Sequence, residues 1–125
     1  MPLKPIPVVD LFAGPGGLSE GFSRLKDACG NREFDVRVSI EKDQNASETL
    51  KLRAFFRSFQ GKVPDCYYDY LRGNITKEEL VANGLVKEEW RQAEHEAHRA
   101  TLGETASNIL INGYLMRLAS MILGY

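Results

Sequence analysis

The chain has 125 residues, with 16 Lys and Arg against 17 Asp and Glu, a formal net charge of -1 at pH 7, and 43% hydrophobic and 26% charged residues. That is the composition of an ordinary globular domain or a piece of one. It excludes a strongly basic nucleic-acid reader, because phosphate neutralisation needs a surplus of Lys and Arg. Two cysteines, Cys29 and Cys66, are too few for a disulfide framework or a four-ligand zinc site, and they read as reduced thiols. Met1-Pro2-Leu3-Lys4-Pro5 lacks the basic-then-apolar order of a secretory signal, and the apolar-rich stretch from Ile109 to Tyr125 is broken by Asn112 and Arg117. A cytoplasmic protein without a membrane span is expected.

In chain order, Ile6 to Phe12 is a β-branched run bounded by prolines and then glycines, which predicts a buried strand. Gly14-Pro15-Gly16-Gly17 breaks it. Leu18, Phe22, Leu25 and Cys29 then recur at helical spacing, with Gly30 placed to end the helix. Phe34 to Ile40 predicts a second strand, closing in Glu41-Lys42-Asp43. A helix from about Asn45 to Phe59 follows, with Asn45 and Glu48 in a capping arrangement and Leu52, Phe55, Phe56 and Phe59 as its apolar face. Strand, glycine turn, helix, strand, helix is a βαβα unit with parallel strands and a right-handed crossover.

Beyond Gly61 the pattern weakens. Cys66 to Leu71, with three tyrosines, predicts a strand or an ordered loop. Thr76 and Glu79 form a capping box opening a short helix that ends at Asn83-Gly84. Trp90, Ala93, Ala97 and Ala100 mark a narrow apolar stripe on a further, highly charged helix. His95 and His98 stand three residues apart on it, but H-E-x-x-H is not formed, so a solvated charged face is expected there and no metal site. Leu115 to Tyr125 is apolar nearly all round and is expected to be buried.

A strand, a G-x-G turn and a helix are suited to close approach of a cofactor. Glycines remove side chains that would hold a ligand away, and the helix offers unpaired N–H groups to a phosphate or carboxylate. An acid ending the next strand can accept hydrogen bonds from both hydroxyls of a ribose. Glu41 fills that place, 24 residues after Gly17. The pattern indicates a nucleoside-containing cofactor without naming it. A nicotinamide or flavin reading is disfavoured by Ser19, where the dinucleotide fingerprint needs glycine or alanine.

The longer string Asp10-Leu11-Phe12-Ala13-Gly14-Pro15-Gly16-Gly17-Leu18-Ser19-Glu20-Gly21-Phe22 resembles the first signature of DNA cytosine-5 methyltransferases. Val38-Ser39-Ile40-Glu41-Lys42-Asp43-Gln44-Asn45-Ala46 resembles their second. Together the two cover roughly residues 6 to 58. The resemblance implies an α/β fold: a partial Rossmann-like S-adenosylmethionine-dependent methyltransferase fold with a helical C-terminal part. Residues 1–61 would be its cofactor-binding portion, and residues 62–125 a mainly helical extension or insertion of an incomplete domain.

The implied cofactor is S-adenosylmethionine, with S-adenosylhomocysteine as product. By the resemblance, Phe12 packs on adenine, and the backbone of Ala13, Gly14, Pro15, Gly16, Gly17 and Leu18 cradles the methionine portion. Asp10 holds the loop shape, Glu41 binds the ribose hydroxyls, and the stem of Lys42 lies against the base. Gly73-Asn74-Ile75-Thr76 superficially resembles a third signature, but helix initiation at Thr76 explains it as well.

The family's chemistry uses a cysteine in a Pro-Cys-Gln loop and a glutamate in Glu-Asn-Val, on a base flipped out of the duplex. Neither string occurs in this sequence, and Cys29 and Cys66 read as structural thiols. The expectation is therefore a restriction-modification type enzyme represented by a fragment, truncation or split part that is inactive alone. DNA would be contacted by parts of the parent outside this sequence. The competing expectation is a non-catalytic interaction module that retains the fold. Two predicted strands make a marginal sheet, so self-association through an open edge or the apolar C-terminal segment is also expected.

Overall fold

A computed structural model of the protein describes residues 4–101. The expected segment from Leu115 to Tyr125 lies outside them. Three parallel strands, β1 (Ile6–Leu11), β2 (Phe34–Glu41) and β3 (Ala97–Arg99), form a sheet in the order β1-β2-β3. The fold is α/β, compatible with part of a Rossmann-like architecture. Asp10 stands beside Ser39 and Ser39 beside Ala97, while Leu11, Ile40 and His98 form the next row. A register shift between Val8 and Val9 sets Val9 beside Val38. The central position of β2 explains the burial of Val36, Val38, Ser39 and Ile40.

Helix α1 (Gly17–Arg24) follows β1, and α2 (Gln44–Ser58) follows β2. The capping residue of α2 is Asp43, whose side chain accepts from the Ala46 N–H, and not the expected Asn45. α1 is shorter than its sequence predicts. The Asp27 carboxylate accepts from the backbone N–H groups of Cys29 and Asn31 at 2.8 and 2.9 Å, drawing residues 27–31 into a turn where Gly30 takes φ 83°. Such local bonding competes with helix. The expected stripe is not the buried face either: Leu18 and Leu25 are exposed, and the buried residues of α1 are Ser19 and Ser23.

Residues 65–71 are helical, which corrects the expected strand or loop: α3 runs Asp65–Leu71 and turns Tyr67 into the core. Two contacts with α2 explain the helix in aromatic-rich sequence, since Tyr67 packs against Phe55 and Phe56. Packing here overrides a preference for extended backbone. α4 (Lys77–Ala82) has the predicted capping box, with Thr76 and Glu79 exchanging both bonds. α5 (Lys87–Glu96) buries Ala93 as expected. Ala97 and Ala100 do not continue it. The chain extends at Ala97 and β3 pairs with β2, so the four-residue stripe spans a helix end and a strand.

The core lies between the sheet and α2 to α5. Leu50, Ala54, Phe55, Val63, Tyr67, Leu80, Val86, Ala93 and Ala97 form one cluster, joined by Ala13 from the glycine loop. Phe55 is its centre, with ring centroids 5.1 Å from Phe59, 6.0 Å from Tyr67 and 5.3 Å from Trp90. Phe56, expected on the same apolar face, is partly exposed. No helix among the described residues is long and apolar enough to cross a membrane.

Candidate functional site

The C-terminal ends of β1 and β2 carry the site. β1 stops at Leu11 because Phe12 adopts φ 58°, a left-handed conformation costly for a bulky residue. Phe12 is 79% exposed, so the strain serves no burial. Ala13 then returns to the sheet, its N–H donating to the Ile40 carbonyl at 2.9 Å, and is buried. Gly14 follows at φ 58° and Gly16 at φ 94°.

The two glycines have different reasons. A Cβ on Gly16 would stand 2.9 Å from Leu50 Cδ1, so this glycine lets the loop press onto α2. A Cβ on Gly14 would meet nothing within 4 Å, which leaves open space over that part of the loop. Pro15, Gly17 and Leu18 are exposed, and Gly17 begins α1.

Glu41 ends β2 and closes the loop against the next turn. Its Oε2 accepts from the Gly14 N–H at 2.6 Å, and its Oε1 accepts from Lys42 and Asp43 N–H at 2.8 and 3.0 Å. Bonds from the Asp43 and then the Gly14 backbone hold its carboxyl below the usual range, with desolvation opposing them. Lys42 is exposed.

Asp10 is buried, and its Oδ2 accepts from the Ser19 hydroxyl at 2.6 Å. It thus ties β1 to the first turn of α1. The sequence pattern assigns Ser19 no contact of its own. Its position is fully buried, and the hydroxyl is what binds Asp10.

A cleft of about 650 Å³ opens beyond Glu41, lined by Glu41, Lys42, Asp43, Gln44, Arg99, Ala100 and Thr101. The glycine loop does not line this cleft; Glu41 is the residue common to both. The far wall comes from the end of β3, where Arg99 Nε donates to the Lys42 carbonyl at 3.3 Å. Sequence reasoning missed that wall. Ala97-His98-Arg99 is too short for an alternating pattern and follows directly on helical sequence, so only pairing with β2 identifies it.

The arrangement can hold a ligand with a vicinal diol at Glu41, a flat group beside Phe12 or in the cleft, and an anionic end over the N–H groups that begin α1. No protein-family model matches the chain. No solved structure matches it. The chain is similar to the type II methyltransferase M.Bpa9945I of Bacillus paralicheniformis, with 38% identity over 66 residues. The match takes in 52% of this chain and only 13% of the relative's length. That similarity supports a methyltransferase at the level of class.

Proposed function

We propose that this chain binds S-adenosylmethionine and forms the cofactor-binding portion of a DNA cytosine-5 methyltransferase of restriction-modification type. The observation that carries the reading is the meeting of Glu41 with the glycine loop. One carboxylate at the end of β2 contacts Gly14 directly, beside a strained, exposed Phe12 and an open cleft. The partial similarity to a type II methyltransferase supports the same class.

The residues present fit such a cofactor. The space over Gly14 admits a ligand that a Cβ would obstruct. Glu41 would take the ribose hydroxyls, Phe12 and the stem of Lys42 would flank the adenine, and the backbone from Ala13 to Leu18 would receive the methionine portion. Asp10 acts through Ser19 to hold the start of α1 in place. When bound, the cofactor supplies the methyl group destined for C5 of cytosine. Pro-Cys-Gln and Glu-Asn-Val are absent from the 125 residues, so transfer needs residues outside this sequence. DNA contacts are assigned to residues outside this sequence, and self-association to an open sheet edge or the apolar C-terminal segment.

The test is calorimetric titration of S-adenosylhomocysteine into this chain and a Glu41→Ala variant, each shown to be folded by its melt. Binding that weakens in the variant supports the proposal. No binding by the folded chain would leave a non-catalytic interaction module as the better reading.

A further inference from the structure

The inner face of α1 is unusual for a helix packed on a sheet: its buried residues are Ser19 and Ser23. An eight-residue helix has too little intrinsic stability to hold itself in place. Phe22 makes an edge-on contact with Phe34 on β2, and the buried side chains of the helix attach it through polar groups. Ser19 donates to Asp10 of β1 at 2.6 Å, while Ser23 donates to the Ser19 carbonyl at 2.6 Å within the helix itself.

Two other side chains of α1, Glu20 and Ser23, meet Arg57 of α2. Its Nη1 donates to Ser23 Oγ at 3.3 Å and its Nε to Glu20 Oε1 at 3.0 Å, so α2 grips α1 at two successive turns. Its Nη2 donates to Glu96 Oε1 at 2.9 Å. Glu96 is the last residue of α5, directly before β3 and three residues before Arg99. The guanidinium side chain is only 11% exposed, and the two carboxylates are 23% and 16% exposed. A planar five-donor group can serve three acceptors in fixed directions, which a flexible ammonium does less well.

We infer that Arg57 is a positioning residue for the cofactor site, holding the glycine loop through α1 and the β3 wall of the cleft through Glu96. It touches neither wall's ligand-facing atoms. It sets the spacing between them. This rests on the reading of the loop and cleft as one cofactor site, and it assigns a role to a polar cluster on which that reading is silent.

The experiment compares the wild-type chain with Arg57→Met, which keeps length and loses the donors, Arg57→Lys, and the milder Ser23→Ala. Two quantities are measured: affinity for S-adenosylhomocysteine, and amide hydrogen exchange at Gly14, Gly16 and Gly17 against exchange in the Phe55–Trp90 core. Arg57→Met is expected to weaken binding by about 2- to 30-fold. Exchange should rise at the glycine loop and stay unchanged in the core, with partial recovery in Arg57→Lys. Equal acceleration everywhere would mark a merely structural residue and overturn the inference, as would unchanged loop exchange. If Arg57→Met does not fold, loop-selective exchange in Ser23→Ala decides by the same criterion. Failure of the wild-type chain to bind would count against the proposed function alone, because the exchange comparison needs no ligand.

Discussion

Glu41 Oε2 accepts the Gly14 N–H at 2.6 Å across 27 residues of sequence, so one side chain both closes the glycine loop and faces the cleft. A carboxylate offers about four lone-pair directions. Lys42, Asp43 and Gly14 take three of them. A ribose diol brings two donors, so its binding should release one N–H, and Gly14, the one donor that is not a sequence neighbour of Glu41, is the one expected to yield. Adenosine should therefore shift the Gly14 amide resonance and speed its exchange, whereas 2′,3′-dideoxyadenosine should not. An unmoved Gly14 amide under saturating adenosine would show that the loop bond persists. Glu41→Ala should cost roughly one to two decades of affinity, from two charge-assisted bonds partly replaced by solvent.

Gly16 and Gly14 should separate stability from binding. Gly16→Ala forces φ 94° on a residue with a Cβ and drives that Cβ to 2.9 Å from Leu50 Cδ1. It should destabilise by about 2–4 kcal/mol, seen as a lowered melting temperature. Gly14→Ala meets no neighbour and should cost about 1–2 kcal/mol for its φ 58° alone. Its larger effect should appear in ligand titration, where the methyl group occupies the open space. Equal melting losses in the two variants would contradict this division.

Burial pushes the Glu96 carboxyl up, with Arg57 pulling it partly back and Asp35 and Glu20 adding to the rise. A carboxyl raised on folding gives stability that is present below its unfolded value of 4.5 and is lost as pH rises through the folded value. Glu41 has the opposite sign, its contribution fading as pH falls below 4.5. The chain should thus gain stability on mild acidification from neutrality and lose it again on the acid side of the carboxylate range. Melting temperatures between about pH 4 and 8 check the profile. In Glu96→Gln the gain on mild acidification should vanish, and its persistence would assign the effect elsewhere.

Ser39 Oγ is fully buried between Asp10 and Ala97 in the sheet, with no hydrogen-bond partner among the described residues. An unmade buried bond costs stability, while an apolar replacement of similar size costs little. Ser39→Ala should be neutral or stabilising by up to about 1 kcal/mol in chemical denaturation. A measured loss of stability would mean the hydroxyl is satisfied in solution.

What the linear sequence determined by itself is the local part of the fold and the place of the glycine loop. β1, β2, α2 and the Thr76 capping box follow from short-range patterns: β-branched runs, glycine breaks and residues three apart, whose interactions need no distant partner. Glu41 was legible for the same reason, since it ends a strand at a recognisable distance from the loop. Tertiary structure decided the rest. Cys66 to Leu71 became helical because Tyr67 found Phe55 and Phe56. Ala97 to Arg99 became a strand because β2 had an unpaired edge beside it. The Asp10–Ser19 contact, the Arg57 cluster and the β3 wall of the cleft join residues between 9 and 57 positions apart. Hydrogen bonds and ion pairs at such separations form only after the chain has paid the entropy of bringing them together, and no periodicity in the sequence records them.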